Sequence, residues 1–332
     1  MKVDFSDRDN GVAVVIGALL TFVIVITLLG SYVLWYVPSN GQQLDQKFLS
    51  DTENSLLQLQ NKLDNSSASP NEFVIQSFPL GIAGTPPFSQ NSFTSINFEN
   101  NSSQFNSSLS FSLVVDVTYG GALHLVYSNY TFYSSGEIVV DATTPFITPS
   151  SFHVQDSAIV QGQTGSNYYQ MMGFLPFNVK NTTSGIYINA TELNITGNQT
   201  SLSGYGTTIM TLQYSYSNLT DEFHGETIST PNGTGGFTSA VVDGINLTAF
   251  NYTVNGSQVQ AWNNTVHSIY GIGKTSAGNV SNGLKWNFAD KLPFTAYLRN
   301  NSFSVYLNET QTPRLNLYGA GLNYFVIRML NL

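Results

Sequence analysis

Val12 to Val37 contains no charged residue, and a stretch of that length and character has few possible fates. As a helix it runs about 39 Å, enough to cross a hydrocarbon core of about 30 Å with some tilt. Tyr32, Trp35 and Tyr36 stand at its C-terminal end, where amphipathic rings favour a membrane–water interface. A cleaved secretory signal fits less well. The run is about twice as long as the usual h-region of roughly 7–15 residues, and no A-x-A site follows. Lys2 and Arg8 precede the run, and Asp45 and Lys47 are the first charges after it. The expected organisation is a cytoplasmic leader at 1–11, a membrane-spanning helix at 12–37 in the lipid bilayer, and a body at the cell surface.

Glycosylation acceptors share that one-sidedness. None precedes the apolar run, and about eighteen Asn-x-Ser/Thr sequons follow it, where composition alone gives about seven. They begin at Asn65, Asn100, Asn101, Asn106, Asn129, Asn181, Asn189, Asn194 and Asn198, and continue with Asn218, Asn232, Asn246, Asn251 and Asn255. Asn263, Asn279, Asn300 and Asn308 complete the series. The pattern implies an exported, N-glycosylated domain. The bland alternative is a polar surface rich in Asn, Ser and Thr that carries no sugar.

Charge is scarce. Asp, Glu, Lys and Arg make up 9% of the chain, against about 25% in ordinary globular proteins. Lys180 is the only Lys or Arg between Lys62 and Lys274. A surface hydrated by hydroxyls, amides and sugars suits a strongly acidic medium, where carboxylates lose their charge and unpaired cations would repel one another. A net charge of −9 over 332 residues is too small an acidic excess for halophily. With no cysteine, the body must be held by its apolar core, and thiolate metal sites and cysteine nucleophiles are excluded. The absence of a basic patch argues against nucleic acid as a partner.

Pro38-Ser-Asn-Gly41 is expected to punctuate the helix. A second, amphipathic helix is expected at 41–64, with Leu44, Phe48, Leu56, Leu59 and Leu63 on one stripe. That stripe could pack on the body or against neighbouring copies. From 71 to 332 the period changes to two. Phe105, Ser107, Leu109, Phe111, Leu113, Val115 and Val117 alternate with polar residues, so the last five of the apolar ones should face one core. Further strands are expected at 123–127, 130–132, 137–140, 185–189, 209–216, 245–254, 284–288, 302–308, 315–318 and 324–329, with a short helix at 258–270. The fold class is therefore mainly β, with two N-terminal helices and then one or two antiparallel sandwich domains. Internal boundaries are sought near 161–167 or 232–236.

The leader and helix, RDNGVAVVIGALLTFVIVI, followed by a β-rich body, resemble archaeal type IV pilin-like surface proteins. The resemblance covers about a tenth of the chain. It implies cleavage of the leader between Gly11 and Val12, and assembly with copies of itself or other pilin-like subunits through the apolar helix.

Chemistry-bearing motifs are few. His124, His153, His224 and His267 are the only histidines, and His124 reads as an ordinary strand residue. Asp221-Glu-Phe-His-Gly-Glu226 is a dense polar cluster whose spacing fits no zinc or calcium pattern, so a turn is the better account. No G-x-S-x-G occurs. Asp116 and Asp243 are placed as candidate paired carboxylates for glycoside hydrolysis, although a solvent-facing strand Asp is commoner. The expectation is a non-catalytic, anchored surface glycoprotein with a structural, filament or adhesion role. It needs no cofactor or metal and meets surface glycans or proteins. The alternative is an anchored extracellular hydrolase acting on polymers.

Overall fold

A computed structural model describes residues 6–65, 73–86, 89–102, 104–119, 122–166, 168–182, 185–198, 200–213, 215–218, 227–231, 237–271, 283–289, 292, 294–307, 315–316 and 325–331. The chain begins with α1 (Ser6–Ser31), passes through a π-helical turn (Tyr32–Tyr36) and continues directly into α2 (Val37–Asn65). The expected break at Pro38 is absent. Proline cannot donate the i→i−4 hydrogen bond, and its ring crowds the carbonyl four residues back. The widened turn just before it relieves both problems, with the Val37 N–H reaching back to Tyr32 O. Gly41 is a contact residue rather than a breaker, since a Cβ there would lie 2.3 Å from the Phe146 ring.

Three sheets follow. The first contains β1 (Phe73–Ile82), β2 (Ser92–Glu99), β5 (Glu137–Thr143), β6 (Ser150–Gln155), β7 (Ala158–Gln163), β8 (Tyr169–Met172), β11 (Thr200–Ser203) and β12 (Gly206–Gln213). Its order is β12-β1-β2-β5-β6-β7-β8, with β11 also pairing with β2. The second runs β16 (Gly283–Asn287), β17 (Phe294–Arg299), β18 (Ser302–Leu307), β15 (Phe237–Gly256), β3 (Phe105–Tyr119), β4 (Ala122–Ser134), and β14 (Thr227–Pro231) and β19 (Leu315–Asn316) pair with β15. The third runs β13 (Ser215–Asn218), β20 (Phe325–Asn331), β10 (Gly185–Asn194), β9 (Phe177–Thr182). Pairing is antiparallel apart from β10 with β20, which is parallel. The fold is mainly β with a long N-terminal apolar helix, as the periodicities imply.

Two cores result. Phe48, Leu56, Leu59 and Leu63 of α2 pack on Val74, Phe78, Ile138, Val140, Phe152 and Val154 of the first sheet, so the stripe belongs to the body. Leu44 on the same stripe is half-buried. The second core joins Leu109, Phe111, Phe250, Tyr252, Phe294 and Phe303 of the second sheet to Phe177 and Ile188 of the third. The helix α3 (Val259–Tyr270) adds Trp262 and Val266 to it. Ala158, Val160 and Met171 reach this core from the other face of the first sheet.

On β3, Phe105, Ser107, Leu109 and Phe111 are buried in alternation. Val114 breaks the pattern, because it is 1% exposed on the opposite side of the strand. The side chains of Leu113, Val115 and Val117 lie outside the described residues. Gln161 to Ser166 runs out of β7 into the turn toward β8, which pairs with it, and 232–236 lies outside the described residues between the paired strands β14 and β15.

Polar side chains along α2, Asn40, Asp45 and Gln60 among them, register it on the body. Asp45 accepts from Ser92 Oγ at 2.5 Å and from the Phe146 N–H at 2.8 Å. Asn40 donates to Thr85 Oγ1 at 2.7 Å. Gln60 donates to Ser157 O at 2.7 Å and accepts from the Phe174 N–H at 3.2 Å. Gly173 permits the last contact: it sits at φ +75°, and a Cβ would meet Gln60 Oε1.

Leu56→Ala, at a site 0% exposed, should lower the stability of the body by about 2–5 kcal/mol. Leu34→Ala, at a site 82% exposed, should leave it unchanged. Urea unfolding of detergent-solubilised protein, followed by fluorescence of the buried Trp262, measures both. Equal effects would show that α2 is not part of the core.

A polar cleft and a buried carboxyl pair

The first sheet has two unlike faces. Even-numbered residues of β2 and β5 point at α2, and odd-numbered ones point away from it. Register across β5 and β6 pairs Glu137 with Gln155, Val139 with His153 and Asp141 with Ser151. At one end this outward face is covered by the second core. At the other it stays open as a cleft of about 320 Å³. Glu137, Asp141, Ser151 and His153 form its floor, and Asn97, Glu99, Gln104, Gln163 and Tyr169 border it.

The floor is a continuous hydrogen-bonded chain. Ser151 Oγ donates to Asp141 Oδ1 at 2.6 Å and lies 3.1 Å from His153 Nε2. His153 Nδ1 is 2.5 Å from Glu137 Oε1. One ring nitrogen of His153 thus meets a hydroxyl and the other a carboxylate, and these two partners fix the orientation of the ring. Glu137 also accepts from Ser102 Oγ at 2.5 Å and from Gln155 Nε2 at 2.7 Å. Burial opposes its charge, but the His153 hydrogen bond and charge, with Ser102 and Gln155, hold the carboxyl below its ordinary value. Among the described residues Glu137–His153 is the one ion pair.

Ser151, His153 and Glu137 stand in the order of an acyl-transfer triad, yet the surroundings suit that chemistry poorly. The serine hydroxyl is drawn to Asp141. Ser151 also lies inside β6, which has strands on both edges, so the neighbouring N–H groups are used in ladders instead of facing an oxyanion. The arrangement is a rigid, charge-balanced floor.

Beside the cleft, β6 and β7 join at a tight turn in which Asp156 and Ser157 have φ of +45° and +60°. Asp156 is fully buried. It accepts from the Leu193 N–H of the third sheet and from Tyr252 Oη of the second, each at 2.5 Å. Glu192 lies alongside and accepts from Ser107 Oγ at 2.7 Å. Burial pushes the Asp156 carboxyl up to about 8, and burial together with the Asp156 charge raises Glu192 well above its ordinary value. Both Asp156 oxygens accept hydrogen bonds, whereas Glu192 Oε2 is buried with no hydrogen-bond partner, so of the two Glu192 is the better placed to hold a proton.

The structure also places the residues singled out from sequence. Among the acceptor asparagines, Asn100, Asn101, Asn106, Asn129, Asn181, Asn198, Asn251 and Asn300 are exposed, and Asn189, Asn194 and Asn255 are half-buried. Asn263 differs from the others, being buried on α3 at 6% exposure. The side chains of Asn65, Asn218, Asn246, Asp116, Asp243 and His124 lie outside the described residues, as do Asn232, Asn279, Asn308 and the Asp221–Glu226 cluster with His224. His267 is exposed on α3. Gly11 and Val12 lie within α1. The sequence reading passed over His153, whose partner Glu137 comes from a neighbouring strand. The signal present was the alternation of polar residues in Ser151-Phe-His-Val-Gln155. Comparison with family models, characterised proteins and solved structures finds no match.

The carboxyl pair makes stability pH-dependent with a definite sign. An acid whose pKa is higher in the folded than in the unfolded chain imposes no cost below its unfolded value, and stability falls as pH rises toward the folded value. The melting temperature should therefore fall between about pH 4 and pH 8. Glu137 acts oppositely, its contribution fading only as pH drops below its ordinary range. Glu192→Gln keeps the shape and removes the charge, so it should flatten the alkaline decline and change little in acid. Thermal melts by circular dichroism across that range test this; an unchanged slope in the variant would show that the pair does not set it.

Proposed function

We propose that the chain is a single-pass membrane protein that carries its β-rich body outside the cell as a glycosylated surface protein with a structural or adhesive role. The observation that carries this reading is the exposed apolar face of α1 and the π turn. Val14 through Leu29 are largely solvent-facing on every side, and Leu34 and Trp35 are 82% and 76% exposed. No soluble helix leaves so much apolar surface in water, so a bilayer is its natural partner. Placement of the sequons supports the outward orientation. Four on the second sheet share its outer face: Asn106, Asn129, Asn251 and Asn255 alternate there with Ser and Thr, while intervening residues such as Leu109, Phe111, Phe250 and Tyr252 fill the core.

Pilin-like assembly is the second reading, favoured because α1 is apolar all round and would serve a helix bundle as well as lipid. Cleavage between Gly11 and Val12 belongs to that reading.

Protease shaving of intact cells should release peptides from the body and none from 1–10. Leu20→Arg should remove the protein from the membrane fraction, since a charge in hydrocarbon costs about 2.5–3.5 kcal/mol or more. Recovery of leader peptides from sealed cells would overturn the topology. Mass spectrometry of the native N-terminus separates the two readings: Val12 supports the processed pilin, and Met1 supports the plain anchor.

A further inference from the structure

The cleft on the open face of the first sheet has a definite recognition chemistry. Its floor is immobilised by the Asp141–Ser151–His153–Glu137 chain of hydrogen bonds. Its border differs: Glu99, Gln104, Gln163 and Tyr169 line the opening, and among the described residues no partner takes up their side-chain polar atoms. Tyr169 is seated by its cross-strand partner Gly162. A Cβ at Gly162 would come within 2.6 Å of the Tyr169 ring, so only glycine lets the ring lie down over β7. On its other side the ring meets His153 edge-on at 6.2 Å.

The charges and donors narrow the ligand. The lining has no Lys or Arg among the described residues, and its one histidine is held by Glu137, so phosphate, sulfate or carboxylate groups find no free counter-charge. Among the described residues no group of carboxylates and histidines is arranged to hold a metal ion. Side-chain amides offer both a donor and an acceptor, and carboxylates accept. Neighbouring hydroxyls, each donor and acceptor at once, satisfy such a set, whereas an organic cation leaves the amide N–H groups unmatched. An aromatic ring beside these groups provides an apolar surface for a C–H face. The volume, about 320 Å³, is at the small end of ligand clefts, roughly 300–1,000 Å³, and fits the end of a glycan better than a long polymer.

We infer that this cleft binds a neutral saccharide, with Tyr169 as the stacking wall and Glu99, Asp141 and the border amides as hydroxyl-binding groups. The inference rests on the adhesive reading above and deepens it. The sugar could be carried by the N-glycans of a second copy or by a foreign polysaccharide; the recognition chemistry is the same.

The test uses the detergent-solubilised full chain and a panel of methyl glycosides of glucose, galactose, mannose and N-acetylglucosamine, with glucuronic acid as the anionic control. Saturation-transfer NMR and calorimetry should detect saturable binding of at least one neutral glycoside and none of the glucuronate. Tyr169→Ala and Glu99→Gln should each weaken it roughly tenfold or more, with cooperative thermal melts well above the assay temperature certifying the fold. The absence of saturable binding to every neutral glycoside would overturn the inference, as would binding that both variants leave intact. Protease shaving of the same variants keeps the two readings separable, because topology survives if sugar binding fails. Clustering of glycosylated protein that the bound glycoside reverses, and that unglycosylated protein lacks, would place the sugar on a second copy. Binding without clustering would place it on a foreign polymer.

Discussion

The three sheets and the long helix meet at the two-residue turn between β6 and β7, and the body is organised from that point. The Asp156 carboxyl receives one hydrogen bond from the third sheet and one from the second. The next residue, Ser157, offers its carbonyl to Gln60 of α2. The residue before it, Gln155, joins Glu137 to Gln258 at the start of α3. Apolar burial supplies most of the driving force, but it is not directional. The fixed angles between sheets come from these polar contacts, which are unforgiving because an unpaired buried group is costly. An aspartate with positive φ at full burial is tolerable here because its neighbours over-determine it.

That junction links composition to setting. A chain with few charges loses little when its surface carboxylates are protonated, and its buried carboxyl pair, Asp156 and Glu192, is at least cost when neutral. Both features shift the most stable state toward acid. Glu137 pulls the other way, since its value to the structure depends on being ionised against His153. The balance between the buried pair and this one ion pair sets the breadth of the stable range.

Local periodicity made much of the fold readable in the sequence. The alternation in β3 and the leucine stripe of α2 each identify an element and its buried face, because each is amphipathic. The misses have physical causes. Residues 152 to 160 are buried on both sides, so β6 and β7 show no alternation to detect. Their turn uses Asp-Ser rather than a glycine pair, and its stability comes from partners on three other elements. Pro38 signalled a helix end, yet a π turn absorbed it within one helix. His153 looked like an isolated histidine because the Glu137 beside it comes from another strand, and only sheet register joins them. The cleft is likewise a product of coverage: residues of one face become a site where the second core stops short of hiding them.

The helix that continues through Pro38 has a mechanical meaning. A surface domain on a slack tether samples all orientations, whereas this body is bolted to α2, and α2 continues into α1 without a flexible joint. Tyr32 donates to Pro86 O at 2.8 Å, so the loop that contains Pro86 is held against the end of the apolar stretch. With that stretch in a bilayer, as proposed, the body would stand at a set height with a set azimuth. Inserting one residue between Tyr36 and Asn40 would turn it by about 100° around the helix axis, like re-keying a shaft. Copies anchored side by side would thus present their clefts in a common direction, and the anchor would act as an alignment device as well as an attachment.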